Sequence, residues 1–171
     1  QVVDTVFAGL SPRSRYLRFH APVPRLTSGM RRALLPVDGI RRIAVAAWCG
    51  DEPLGIARVT AIGDGAADVA VAVVDAWQRR GLGRRMLTAV TELAERAGIT
   101  ELQASVLPEN VAMLSLVRTL YPTGRLHYDG DAVALRVPIG AAAATITEAD
   151  VYESLLARPS PWLVGAPASD Q

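Results

Sequence analysis

Hydrophobic positions recur along this chain with two periods, and their alternation lays out a mixed α/β protein. The clearest helical stretch runs from Leu82 to Ala97. Leu82, Met86, Leu87, Val90, Leu93, Ala94 and Ala97 fall on one side, Glu92 and Arg96 stand four apart on the other, and Gly98 ends the run. A second helix is predicted from about Asn110, with Met113, Leu114, Val117 and Leu120 sharing a face. Nearer the start, Ser11-Pro12 reads as an N-cap and first helical position, followed by Tyr16, Leu17 and Phe19. Leu26-Thr27-Ser28 caps a further short helix carrying Met30, Leu34 and Leu35, which stops before Pro36 because a residue preceding proline disfavours the helical conformation.

The two-residue period marks the strands. Arg42 to Cys49 and Leu54 to Ile62 flank Gly50-Asp51-Glu52-Pro53, a hairpin signal. After the turn at Gly63-Asp64-Gly65, Asp68 to Val74 is a run of small residues and valines that is apolar on both faces, as a central strand is. Leu102, Ala104 and Val106 alternate with Glu101, Gln103 and Ser105, and a final hairpin joins Arg125–Tyr128 to Ala132–Val137 through Asp129-Gly130-Asp131. Beyond Pro138 the character changes: a linker at Ala141–Ala144, a short helix from Thr147 to about Ala157, then a Pro-, Ser- and Ala-rich end. The expected organisation is one domain over residues 1–138 and an appendage, linker, short helix and flexible tail, over 139–171.

Composition narrows the function classes. At 171 residues, half of them hydrophobic and a fifth charged, the chain can bury a single core. No apolar run approaches the roughly 18 residues of a membrane helix, so a spanning protein is not expected. A net charge of +1 is too even to make nucleic acid or an acidic membrane the main partner. All 18 basic residues are Arg, so a cation in a binding site is a guanidinium fork, suited to phosphate or carboxylate. The single Cys49 allows no internal disulfide and no multi-Cys metal site, no signal peptide opens the chain, and a reducing cytoplasm is the expected location. Gln1 in place of Met reads as a trimmed or processed start. Cys49, Trp48 and Trp77 are expected to pack in the interior, and His20 and His127, lacking ligand-spaced partners, give no metal site.

One segment carries chemistry. Between the central strand and the longest helix lies Gln78-Arg79-Arg80-Gly81-Leu82-Gly83-Arg84. Glycines let the backbone turn tightly and approach a ligand, the free N–H groups of a first helical turn attract an anion, and three arginines add charge-assisted hydrogen bonds. A Rossmann fingerprint would need a third glycine where Met86 stands, and a P-loop would need a lysine this chain does not contain.

The pattern Gln-x-x-Gly-x-Gly after a strand resembles the central motif of the GNAT acyltransferase superfamily. Val73 to Gly83 follows that motif closely, and Pro108-Glu109-Asn110-Val111-Ala112-Met113-Leu114 resembles the family's second motif. Leu10 to Phe19 is similar to the bacterial branch that includes protein-lysine acetyltransferases. The resemblance implies a mixed, mostly antiparallel sheet flanked by helices, with acetyl-CoA in a V-shaped opening beside the central strand. It places Val71, Val73 and Val74 beside the pantetheine and thioester, and Gln78, Arg79, Arg80, Gly81, Leu82, Gly83 and Arg84 around the diphosphate. Asn110, the only Asn in the chain, falls at the pantetheine or acetyl end.

The implied reaction is direct attack of an amine on the thioester, with backbone N–H groups stabilising the oxyanion. Asp68, at the start of the central strand, is the candidate base where some relatives carry a glutamate. Where many members carry an acidic Tyr, seven residues beyond the Asn, this chain has Val117, which leaves Tyr121 and Tyr128 as candidates from elsewhere. The acceptor is an amine, either a protein lysine, which the N-terminal resemblance favours, or a small molecule; a homodimer stays open. The alternative is an acyl-CoA-binding sensor or interaction module with little or no turnover, and a plain scaffold is the third reading. The family also begins with a strand that too few residues precede Ser11 to provide, so this strand is expected to be missing or replaced, for instance by the segment around 143–147 in its own or a neighbouring subunit.

Overall fold

The computed structural model describes residues 1–140. Helices α1 (Val2–Ala8), α2 (Pro12–Phe19) and α3 (Ser28–Leu34) precede a hairpin of β1 (Arg42–Cys49) and β2 (Glu52–Gly63), then β3 (Ala66–Val73). A single 3-10 turn at Asp75–Trp77 leads to α4 (Leu82–Arg96), followed by β4 (Glu101–Val106), α5 (Val111–Leu120), β5 (Arg125–Asp129) and β6 (Ala132–Pro138). The six strands lie in the order β1-β2-β3-β4-β6-β5, antiparallel throughout except for the parallel pair β3 and β4.

The core lies between the sheet and α4. Met86, Leu87, Val90 and Ala94 of that helix pack on Ile43, Ala57, Val59, Ala67, Val69 and Leu102, all buried. This is the apolar stripe read from the sequence, and Gly98, at φ +83°, follows the helix end in a conformation glycine adopts without strain. No ion pair joins Glu92 to Arg96 among the described residues; both remain on the outer side. The opposite sheet face holds a second cluster in which Val6 and Leu54 enclose Val74. Polar caps start the shorter helices: Ser11 Oγ accepts from Ser14 N–H (3.2 Å), Thr27 Oγ1 from Met30 N–H (3.2 Å) and Asn110 Oδ1 from Met113 N–H (3.2 Å).

The structure differs from the sequence reading at two places, the first residues and the end of β1. The first residues form a helix that the periodicity reading did not include: Val3, Val6, Phe7 and Leu10 share a helical face, and Asp4 in the first turn is held by Arg31 at 2.7 Å. Among the described residues no strand precedes β1, so β1 is the sheet edge. Cys49 and Trp48 are exposed rather than buried, because they sit at the hairpin end of this edge strand beside a β-bulge at Ala47/Trp48. The linker at Ala141–Ala144, the replacement strand around 143–147 and the helix from Thr147 to Ala157 lie outside the described residues.

Leu87 is fully buried at the middle of the core. Leu87→Ala is expected to lower unfolding free energy by about 2–5 kcal/mol through lost transfer energy and the cavity left behind. Ile62→Thr, at an exposed site, is expected to stay within about 0.5 kcal/mol of the parent. Urea denaturation of both variants checks the contrast.

Candidate acyl-transfer site

The parallel strands β3 and β4 are paired only at Ala66, Ala67 and Asp68 opposite Glu101, Leu102 and Gln103. Beyond Asp68 they part, while each keeps its outer partner: β3 stays paired with β2 as far as Val73, and β4 with β6 as far as Val106. The hydrogen-bond phase decides which groups face the gap. Val74 N–H donates to Leu54 O (2.9 Å), so alternate residues Ala72, Ala70 and Asp68 also turn their backbone groups to β2. The intervening Val71 and Val73 therefore present theirs toward β4, where no strand meets them.

The gap is a cleft of about 420 Å3. It is lined by Val71 and Val73 of β3, by Ala104, Ser105 and Val106 of β4, by Met113 and Leu116 of α5, and by the loop before α4. Of the residues singled out from the sequence, Val71, Val73, Gln78, Arg79, Gly81, Gly83, Arg84 and Asn110 meet around this one cavity. Val74, Arg80 and Leu82 do not line it. Val74 is buried against Val6 and Leu54, Leu82 packs beside that cluster, and the Arg80 guanidinium lies over the Trp77 ring at 4.8 Å.

The loop is shaped for an anion by its backbone. Arg79 (φ +60°) and Gly81 (φ +81°) are both left-handed, with Gly81 as the N-cap of α4. No side chain caps this helix and its first turn has no acidic residue, so the leading N–H groups of a 15-residue helix point toward the cleft mouth without a protein partner. Glycine is needed at the two positions for different reasons. At Gly81 there is open space but a positive φ; at Gly83 an added Cβ would meet only Leu116 Cδ2 at 3.5 Å and Val73 Cγ2 at 3.9 Å, ordinary contact. Gly83 is thus not demanded by internal packing, and what its missing side chain provides is room on the cleft side.

Gln78 does more shaping than its place in the motif suggests. Its two amide N–H groups are shared among Val73 O (3.0 Å), Asp75 Oδ1 (3.1 Å) and Ser14 Oγ (3.3 Å), which ties the end of β3, the 3-10 turn and α2 together. Asp75 N–H also donates to Gly9 O (3.0 Å). Burial raises the Asp75 pKa, but hydrogen bonds from the Ser11 and Ser14 hydroxyls and from Ser11 N–H outweigh it, with Arg15 adding to them, and the net shift is downward.

A GNAT acetyltransferase family model matches residues 15–120, most of the described chain. This protein is a member of the GNAT acetyltransferase family. The crystal structure of the GNAT domain of S. lividans PAT is 28% identical, with a TM-score of 0.74 over 81% of this chain and 84% of that one. A phosphinothricin acetyltransferase of the GNAT superfamily from Sinorhizobium meliloti, solved with AcCoA, shares the fold at 15% identity and TM-score 0.66, covering 86% and 90% of the two chains. The PaiA N-acetyltransferase from Thermoplasma acidophilum, solved with coenzyme A, does so at 11% identity and TM-score 0.59 over 81% and 95%. No curated protein matches the sequence.

For a GNAT enzyme the polar groups at the far end of the cleft matter most. Asp68 stands where β3 and β4 part, faces the α1–α3 side and does not line the cleft. Its carboxyl is raised by desolvation and held back by the charge of Arg18. Neither candidate tyrosine lines the cleft: Tyr121 is hydrogen-bonded to Thr91 at 2.7 Å, and Tyr128 is exposed on β5. Burial, opposed by the Thr91 bond, raises the Tyr121 pKa, and Glu95 adds to it. Sequence reasoning missed Ser14, Arg18 and His20, which line the cleft from α2 and its end; Leu10, Ser14, Leu17 and Arg18 at helical spacing were the available signal. Among the described residues no group of three or more His, Cys, Asp or Glu could hold a metal ion.

Because the Asp75 pKa is depressed in the folded state, its stabilisation is present above the ordinary carboxylate range and lost as pH falls through its folded value. Asp75→Asn is expected to be less stable than the parent near pH 7, with the difference shrinking toward about pH 3. Urea unfolding of both proteins across that range checks it.

Proposed function

We propose that this GNAT enzyme moves the acetyl group of acetyl-CoA to an amine by direct attack in a ternary complex. The carrying observation is the cleft itself. Its floor is an unpaired strand edge, its mouth is an uncapped helix N-terminus with Arg79 and Arg84 beside it, and it opens where β3 and β4 part. A flexible amide-bearing chain ending in a thioester finds backbone partners along Val71 and Val73, and a diphosphate finds N–H donors and guanidinium forks at Gly81–Arg84. The Asn110 amide N–H groups remain for the same chain, since its Oδ1 caps α5.

The N–H groups directed at the opening are also the donors for the oxyanion that forms when the amine adds to the carbonyl carbon. Collapse of this intermediate breaks the carbon–sulfur bond, the departing thiolate takes up the second proton of the nitrogen and leaves as the thiol, and the amide retains the acetyl group. The attacking ammonium must first lose a proton, and Asp68, reached through water, takes it. The raised pKa makes Asp68 a better base than an ordinary carboxylate, and its ionised form is lost as pH falls through a value above the usual range. A protein lysine is the acceptor that the N-terminal resemblance favours. A sensor that binds acyl-CoA without turnover shares the cofactor site and differs only in product formation.

Thermal unfolding with acetyl-CoA tests this reading. At 100 times its dissociation constant the ligand is expected to add about 2.7 kcal/mol of apparent stability. Gly83→Leu, whose side chain enters the cleft, is expected to fold yet lose the shift. A parent protein with no shift, or a variant with an undiminished one, would overturn the cofactor assignment; a shift without CoA release from any amine would favour the sensor.

A further inference from the structure

A second, smaller cavity of about 30 Å3 lies between the sheet and helices α1–α3. It shares a wall with the main cleft: Leu10, Arg18, Ala70 and Ala72 border both. The space exists because β3 presents only alanines there, Ala70 and Ala72, where longer side chains would fill it. Its lining is otherwise apolar, with Val6, Phe7, Phe19, Leu26, Leu34 and Ile56, except for two guanidinium-bearing residues, Arg18 and Arg58.

Two cations in one apolar pocket are costly unless something negative joins them. Arg58 is buried and donates to Pro36 O at 3.2 Å. Arg18 lies beside the Phe19 ring at 5.1 Å, and among the described residues no hydrogen bond or ion pair reaches its guanidinium. Desolvation lowers the pKa of both, the two repel each other, and Asp68 is the one carboxylate acting on Arg18. The protein thus keeps a half-buried guanidinium fork, without a bonded partner among the described residues, in the wall of the cleft.

Resting on the acetyltransferase reading above, we propose that the acceptor is an amine bearing a carboxylate, and that Arg18 binds this carboxylate at the opening between the two cavities. A guanidinium offers two parallel N–H donors that match a carboxylate's two oxygens. The small cavity has room for a group of a few atoms, not for a peptide segment. The carboxylate is either that of a free amino acid or that of an acidic residue flanking a target lysine. Its binding also draws the Arg18 charge away from Asp68, which strengthens the base as the acceptor arrives.

The test compares the parent with Arg18→Met and Arg18→Lys. Acceptors are free amino acids, the same amino acids as C-terminal amides, and lysine peptides with glutamate or glutamine beside the lysine, with CoA release as readout. Calorimetric binding of the N-acetylated amino acids and their amides to the CoA-loaded protein gives a second readout that needs no turnover. The parent is expected to prefer carboxylates at least tenfold in KM. Arg18→Met is expected to erase that preference, so that acids and amides share one KM, Arg18→Lys to restore part of it, and Arg18→Met to unfold at the same temperature as the parent, since no bonded partner is lost. Preference for free amino acids identifies the first source, and preference for glutamate-flanked peptides the second. Equal handling of carboxylate and amide by the parent, or an equal loss of both in a destabilised Arg18→Met, would overturn the proposal. A normal acetyl-CoA shift in those cases leaves the acetyltransferase reading standing; absence of that shift overturns both.

Discussion

The structure depends on one interruption in its hydrogen bonding: the strand pair β3 and β4 stops at Asp68. A parallel ladder that continued would satisfy the backbone of Val71 and the N–H of Val73, whose carbonyl Gln78 already binds, and would leave a plain open α/β layer. Each strand can leave the other because its outer neighbour stays paired, so the sheet loses one inner seam without losing its integrity. The unpaired edge is a liability in a monomer, as any strand edge is, and natural proteins cover such edges. Here residues of α2 and α5 stand with it in the lining of one cleft, which leaves it open to an extended ligand.

The opening is maintained by polar contacts around Gln78. Val73 leaves β3 with its carbonyl bound by that side chain, Asp75 takes hydrogen bonds from the start of α2, and Arg79 and Gly81 turn the chain through two left-handed residues into α4. The same few residues therefore set where β3 ends, where α2 begins and where the first free N–H groups of α4 point. Chemistry and fold are coupled at this joint, because a shift of the loop moves both the phosphate donors and the wall carrying Ser14 and Arg18. Beside the far end of the cleft, Asp68 and Arg18 act on each other through their charges, and the Arg18 guanidinium has no bonded partner among the described residues.

Much of this was legible in the sequence. The amphipathic spacing from Leu82 to Ala97, the glycine punctuation at 63–65 and 129–131, and the alternation at 101–106 map directly onto α4, two hairpin turns and β4. The glycine loop declared itself because a positive φ, a tight turn and a close approach all demand the same residue. The first helix was not seen, since Val2, Val3 and Val6 carry strand propensity and the packing of Val2 and Val6 with Leu54 and Val74 favours the helix. Cys49 and Trp48 read as core on hydrophobicity alone, whereas exposure depends on which strand lies at the edge, a property of topology rather than of local pattern. Arg18 escaped for a related reason: one arginine among 18 has no distinguishing neighbour in sequence, and its significance comes from Ala70 and Ala72, half the domain away.

The central claim, that the parting of β3 from β4 is the ligand site, is open to amide-resolved hydrogen exchange. Without ligand, Ala70 and Ala72, bonded to β2, are expected to be protected, and Val71 and Val73 to exchange much faster. Saturating acetyl-CoA is expected to slow Val71 and Val73 while leaving Ala70 and Ala72 unchanged. Alternating protection that collapses on binding would carry the account. Val71 and Val73 as protected as their neighbours in the free protein, or unchanged with the ligand bound elsewhere, would contradict it.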